Sequence, residues 1–301
     1  MNKTWKCRNA EYLTHFLTEI IGEIAIDTPD EVYKVNDHVE KKVYYANGKK
    51  KIIFFEKKGN EIELFTNKTW YLKNMTNGFR SLVCRGFILY YDENFFSKQF
   101  IDLVFLEQYI ETIAELLKVE LKEPIKLYIV HKDVFKNVFG NEDITGFFEP
   151  LKGNIYVDCI DVNATHEIVH AIMHEWGLWP HLFCCEGIAE SFKKPICFPI
   201  ERINKLMSFE EMFFAWENLG EELYGTAGLF FRFLFQKYDV DVIKGVCREL
   251  KWKNNIDAKF VFHKATGSNN IIKEFVTWFE ENNWENVDWY YTRNRSNYGS
   301  K

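Results

Sequence analysis

Hydrophobic and polar positions change period several times along this chain. Near the amino terminus Tyr12, Leu13, Phe16, Leu17, Ile20 and Ile21 recur at the spacing of one helical face. Over residues 41–73, KKVYYANGKKKIIFFEKKGNEIELFTNKTWYLK alternates in short strands, with Asn47-Gly48 and Lys58-Gly59-Asn60 as hairpin turns. The spacing predicts a helix and then a small antiparallel sheet over residues 1–80. Further on, GFILYYDENF (86–95) and PIKLYIVH (124–131) read as strands around the amphipathic helix FIDLVFLEQYIETIAELLKVEL (100–121), and ITGFFEPLKGNIYVDC (144–159) reads as a hairpin. SFEEMFFAWENL (208–219), YGTAGLFFRFLFQKYDVDVIKGVCREL (224–250) and DAKFVFHKATGSNNIIKEFVTWFEE (257–281) carry helical periodicity.

One helical segment breaks the usual separation of apolar from ionisable residues. NATHEIVHAIMHEWG (163–177) lacks Gly and Pro before Gly177, has Asn163 or Thr165 as candidate N-caps, and is apolar on nearly every side. His166 and His170 stand one turn apart on a single face, with Glu167 rotated about 100° to the side. Buried ionisable groups need neutralising, pairing or a metal, and one zinc ion would satisfy both imidazoles. Chance would place an H-E-x-x-H about 0.02 times in a chain of this composition. In the next segment, CCEGIAES (184–191), Glu186 and Glu190 repeat the four-residue spacing. Glu186 can complete a His, His, Glu ligand set that leaves a position open for water, the form catalytic zinc sites take. Glu190, one turn deeper, is placed to accept the other N–H of a ligating imidazole. The competing expectation is a set of buried His and Glu side chains that satisfy only each other.

HEIVH followed by EGIAE resembles the gluzincin zinc metallopeptidases, and the order of elements over residues 85–285 resembles the peptidase MA-like group. The interval from His170 to Glu186 is short for that family. The resemblance implies an α+β fold: a twisted, mostly antiparallel or mixed sheet lies on the zinc helix, and a helical C-terminal lobe carries the glutamate. The expected segments are 1–80 as a β-rich extension, 81–182 as the lobe with the zinc helix, and 183–301 as the helical lobe and tail. It also implies peptide hydrolysis, with Glu167 as general base and Tyr224, in ELYGTAG, as candidate oxyanion donor. Tyr224 as a packing residue is the alternative. The metzincin pattern is excluded, because Met173 and Trp176 stand where it needs a glycine and a third histidine. Gly146, Phe147, Phe148 and Glu149 are candidate substrate-binding residues on an edge strand that takes up peptide by strand addition. Glu149 also resembles the amine-holding glutamate of the aminopeptidase GAMEN motif, so endopeptidase and aminopeptidase both stay open. A reading from another class is a silent, zinc-stabilised binding scaffold. His174 is expected to be a packed or gating side chain, and His181 to be solvated or to line the cleft.

Composition trims the alternatives. The net charge is -6, with no basic block beyond GKKKIIFFEKK, so nucleic acid is not an expected partner. That lysine run is expected at a solvated strand edge. Seven cysteines, an odd number without a C-x-x-C pair, give no disulfide framework and no thiolate zinc site. No apolar run reaches the length of a membrane span, and Glu11, His15, Glu19 and Glu23 interrupt the amino-terminal segment. The expected partner is a peptide or protein substrate and the expected location cytoplasmic.

Overall fold

Alternation of buried and exposed residues builds two five-stranded sheets. A computed structural model describes residues 4–5, 29–46, 49–58, 61–93, 102–139, 144–150, 152–160, 162–178, 180–193, 221–251 and 257–281. The expected first helix, residues 208–219, Cys7 and Cys197, the hairpin-turn residues 47–48 and 59–60, and the C-terminal tail lie outside the described residues. The chain divides into two compact units, residues 1–111 with 121–177, and residues 112–120 with 178–301. The architecture is mixed α+β.

The first sheet has the order β1-β5-β4-β3-β2, from β1 (Thr4–Trp5), β2 (Glu31–Lys34), β3 (Val39–Ala46), β4 (Lys49–Lys58) and β5 (Glu61–Thr66). Ala46 pairs with Lys49 and Lys58 with Glu61, the register of the two hairpins expected there. β4 is the central strand and not an edge. Its lysines occupy the two ends, while Ile53, Phe54 and Phe55 fill the buried middle. A second departure follows at once: NKTWYLKNM is not a strand but helix α1 (Asn67–Met75). The Thr66 side chain caps it, accepting from the Thr69 N–H at 3.2 Å. Trp70 then stacks on Phe54 with centroids 4.8 Å apart, covering one face of the sheet.

The second sheet has the order β6-β7-β8-β10-β9, from β6 (Arg80–Cys84), β7 (Phe87–Tyr91), β8 (Ile125–Ile129), β9 (Gly146–Glu149) and β10 (Asn154–Val157). It is mixed, with β7-β8-β10 parallel and both outer pairs antiparallel. Helices α2 (Leu103–Leu116) and α3 (Lys132–Phe139) lie in the chain between its strands, and α4 (Val162–His174) packs on β9 and β10. Because α4 begins at Val162, Asn163 and Thr165 are inside it and neither is its N-cap. The buried Thr165 instead gives its carbonyl to the Tyr109 hydroxyl at 3.3 Å. Gly153 supplies the positive φ of 67° that closes the β9–β10 turn. Both sheets belong to one unit: Lys152, at that turn, reaches Glu63 of β5 at 2.8 Å.

The second unit is helical, with α5 (Leu182–Phe192), α6 (Glu221–Lys237), α7 (Val240–Glu249), α8 (Ala258–Thr266) and α9 (Ile271–Glu281). Its core is aromatic. Phe230 touches Phe183, Phe231, Phe262 and Phe275, with centroids 5.3 to 5.9 Å apart. Among the described residues no helix is long and apolar enough to cross a membrane.

Candidate metal centre

The four-residue spacing of His166 and His170 acts through α4, which turns both rings the same way. Their Nε2 atoms lie 3.0 Å apart, with the rings edge-to-face. His166 is buried and His170 half-buried. Glu186, half-buried on the second turn of α5, contributes the third donor: one ligand atom from each of His166, His170 and Glu186 falls within 4.8 Å of the other two. Nitrogens held at about 2.0 to 2.1 Å by a tetrahedral ion sit about 3.3 Å from each other, close to the imidazole separation observed. Two imidazole nitrogens and a carboxylate oxygen are the donor chemistry zinc accepts, so these residues fit a divalent ion.

Glu167 is half-buried, and its side chain lies against β9. An ideal Cβ built on Gly146 would come within 3.0 Å of both Glu167 Cγ and Oε1. Two residues on, Phe148 meets His170 at 6.4 Å and His174 edge-on at 5.5 Å, centroid to centroid. Side chains alternate along a strand, so Gly146 and Phe148 face α4 while Phe147 and Glu149 face the other way. The four candidate substrate residues thus split into two pairs, of which only Gly146 and Phe148 stand with the histidines.

Glu149 is the clearest departure from the sequence expectation. Its side chain is 2% exposed, on the face where Phe147 packs against the cluster of Leu72, Val134, Phe135 and Tyr156. Asn154 donates to it at 3.3 Å, and its Oε1 has no hydrogen-bond partner among the described residues. Burial raises its pKa to about 7, against a partial downward pull from Lys152 and Asn154. A carboxyl group shut away here is not placed to hold a substrate amine beside the imidazoles.

The remaining candidates have local partners. Glu190 is buried and accepts from Lys193 Nζ at 3.2 Å. Tyr224 is half-buried on the first turn of α6. It stands one turn before Ala227, whose carbonyl and Phe231 lie against Gly187 of α5, so helical spacing puts it on the stripe facing α5. His174 is packed beneath Phe148. His181 is a capping residue: its Nδ1 accepts from the Phe183 N–H at 3.2 Å and its own N–H donates to Leu250 O at 2.8 Å. Burial pushes the Cys184 and Cys185 thiols well above their ordinary value. Sequence reasoning gave Gly146 only a substrate role. A glycine at a strand position is the available signal for close backbone approach, but the partner is not encoded locally.

No protein-family model matches the chain, and no curated protein sequence matches it.

Proposed function

We propose that this protein is a zinc-dependent peptidase of gluzincin type. The observation that carries the reading is the convergence of His166, His170 and Glu186 with Glu167 one position along the same helix. A zinc ion held by such a set supplies Lewis acidity that polarises a carbonyl and acidifies water toward a pKa of about 7. Glu167 is then the group that takes the proton from the attacking water and returns it to the leaving amine. A site that served stability alone has no use for a carboxylate at that position. Tyr224 is the candidate donor to the oxyanion.

β9 closes its sheet on one side, and an extended peptide can add along such an edge by main-chain hydrogen bonds. Phe148 then offers an apolar surface beside His170. The position of Glu149 on the opposite face favours an endopeptidase over an aminopeptidase.

The test is cleavage of a peptide library by wild type, by Glu167→Gln and by chelated protein. The glutamine variant should bind zinc yet lose about a hundredfold or more of the rate, since general-base catalysis is worth that much. Chelation should abolish cleavage and zinc should restore it. Undiminished cleavage by Glu167→Gln would overturn the mechanism, and zinc binding without any cleavage would identify a silent scaffold.

A further inference from the structure

We infer that Gly146 is a positioning residue for the general base: the side chain it lacks is the seat of the Glu167 carboxylate. The inference rests on the peptidase reading for its catalytic meaning, and on separate geometry for the contact itself.

Three observations carry it. First, a Cβ at position 146 would approach Glu167 Cγ and Oε1 to 3.0 Å and the carboxyl carbon to 3.4 Å. The first two separations are tighter than most real Cβ contacts, so even a methyl group there makes the Glu167 side chain give by a few tenths of an ångström. Second, the contact is made by the strand and not by a loop. Gly146 pairs with Val157 of β10 and belongs to the sheet that carries α4. Third, no backbone requirement explains the glycine. Its φ is not among the positive values found at Gly78, Gly86, Gly153, Gly177 and Gly267, so alanine could adopt this conformation. In an extended strand a glycine is otherwise a cost, because it packs nothing and loses more entropy on folding. The carboxylate lying against it accounts for its presence.

The arrangement fixes the aim of the base. Glu167 has three rotatable bonds, and on an open helix face it would sample several rotamers. With β9 behind it, the methylene and one carboxylate oxygen crowd the space that a Cβ on Gly146 would fill. Phe148 on the same face holds β9 at the level of His170 and His174, so strand and helix cannot slide past each other without breaking aromatic contacts. A base held in one orientation costs less to organise at the moment of reaction, and small displacements of such a group reduce turnover more than binding.

The experiment is a double-mutant cycle between Gly146→Ala and Glu167→Ala, read on the full-length protein by thermal melting with and without zinc, and by peptide cleavage. With Glu167 present, Gly146→Ala should lower the melting temperature by about 3 °C, and in the Glu167→Ala background the same change should leave it unaltered or raise it. Zinc content should stay at the wild-type level in Gly146→Ala. Its kcat should fall about tenfold or more at little changed KM. A purely structural glycine would give the same shift in both backgrounds, which would overturn the inference. Should Gly146→Ala fail to fold beside Glu167 but fold once Glu167→Ala is added, that is the coupling in its strongest form; failure to fold in both backgrounds would contradict it. If wild type cleaves nothing while the coupling holds, the peptidase reading falls and the seat of the carboxylate stands.

Discussion

Two imidazole nitrogens 3.0 Å apart cannot both carry a proton without repulsion, and when neither does, their lone pairs converge on a site that a cation can fill. Since only the neutral ring ligates, zinc occupancy should fall as the pH drops below about 6, and cleavage with it. Titrating zinc content by dialysis between about pH 4.5 and pH 8 checks this, and full occupancy at about pH 4.5 would contradict it. At this scale the sequence was informative because helical spacing is rigid. His166, Glu167 and His170 could be assigned to relative positions from numbers alone, and Glu186 from the repeat of that spacing. Gly146 and Glu149 were less legible. Which face of β9 meets the histidines depends on how α4 packs, and strand parity then decides that one glycine lies against Glu167 while one carboxyl is buried away from it.

At the scale of elements, the β9–β10 hairpin carries a pH dependence of its own. Glu149 has its pKa raised to about 7 by burial, from an ordinary value of 4.5. Between those values the folded protein keeps the proton and the unfolded chain has released it. The stabilising contribution is therefore complete below about pH 4.5 and is lost as the pH rises to about 7, a change on the order of 3 kcal/mol. Glu149→Gln cannot ionise, so its stability should be flatter over that interval and higher than wild type at about pH 8. Denaturant melts at about pH 5 and pH 8 measure both, and parallel curves for the two proteins would refute the assignment. In the helical unit, a Cβ on Gly187 would fall 2.4 Å from Phe231 Cδ2 and 3.1 Å from Ala227 O. Gly187→Ala must push α5 from α6, costing about 1–3 kcal/mol and displacing the neighbouring Glu186, with weaker zinc binding as the readout. Element types were mostly readable from period, but NKTWYLKNM was not. Its Thr, Trp and Tyr favour strands, and the cap from Thr66 together with Trp70 packing on Phe54 outweighed that preference.

For the whole molecule, the sequence indicated a mixed α+β chain with a β-rich start and a helical end, because periodicity survives without knowledge of packing. The pairing of strands was less accessible: β7, β8 and β10 run parallel although they are far apart in sequence. Nor did the lysine run reveal its strand as the centre of a sheet, since its buried middle is only three residues long. A ligand that binds only the folded chain stabilises it, so zinc at about a hundred times its dissociation constant should add about 2.7 kcal/mol and raise the melting temperature accordingly. The most direct test is anomalous diffraction at the zinc edge from crystals grown with the metal. The account predicts a peak bonded at about 2.0 to 2.2 Å to His166 Nε2, His170 Nε2 and a Glu186 carboxylate oxygen. A peak elsewhere, or one that leaves Glu186 uncoordinated, would contradict it.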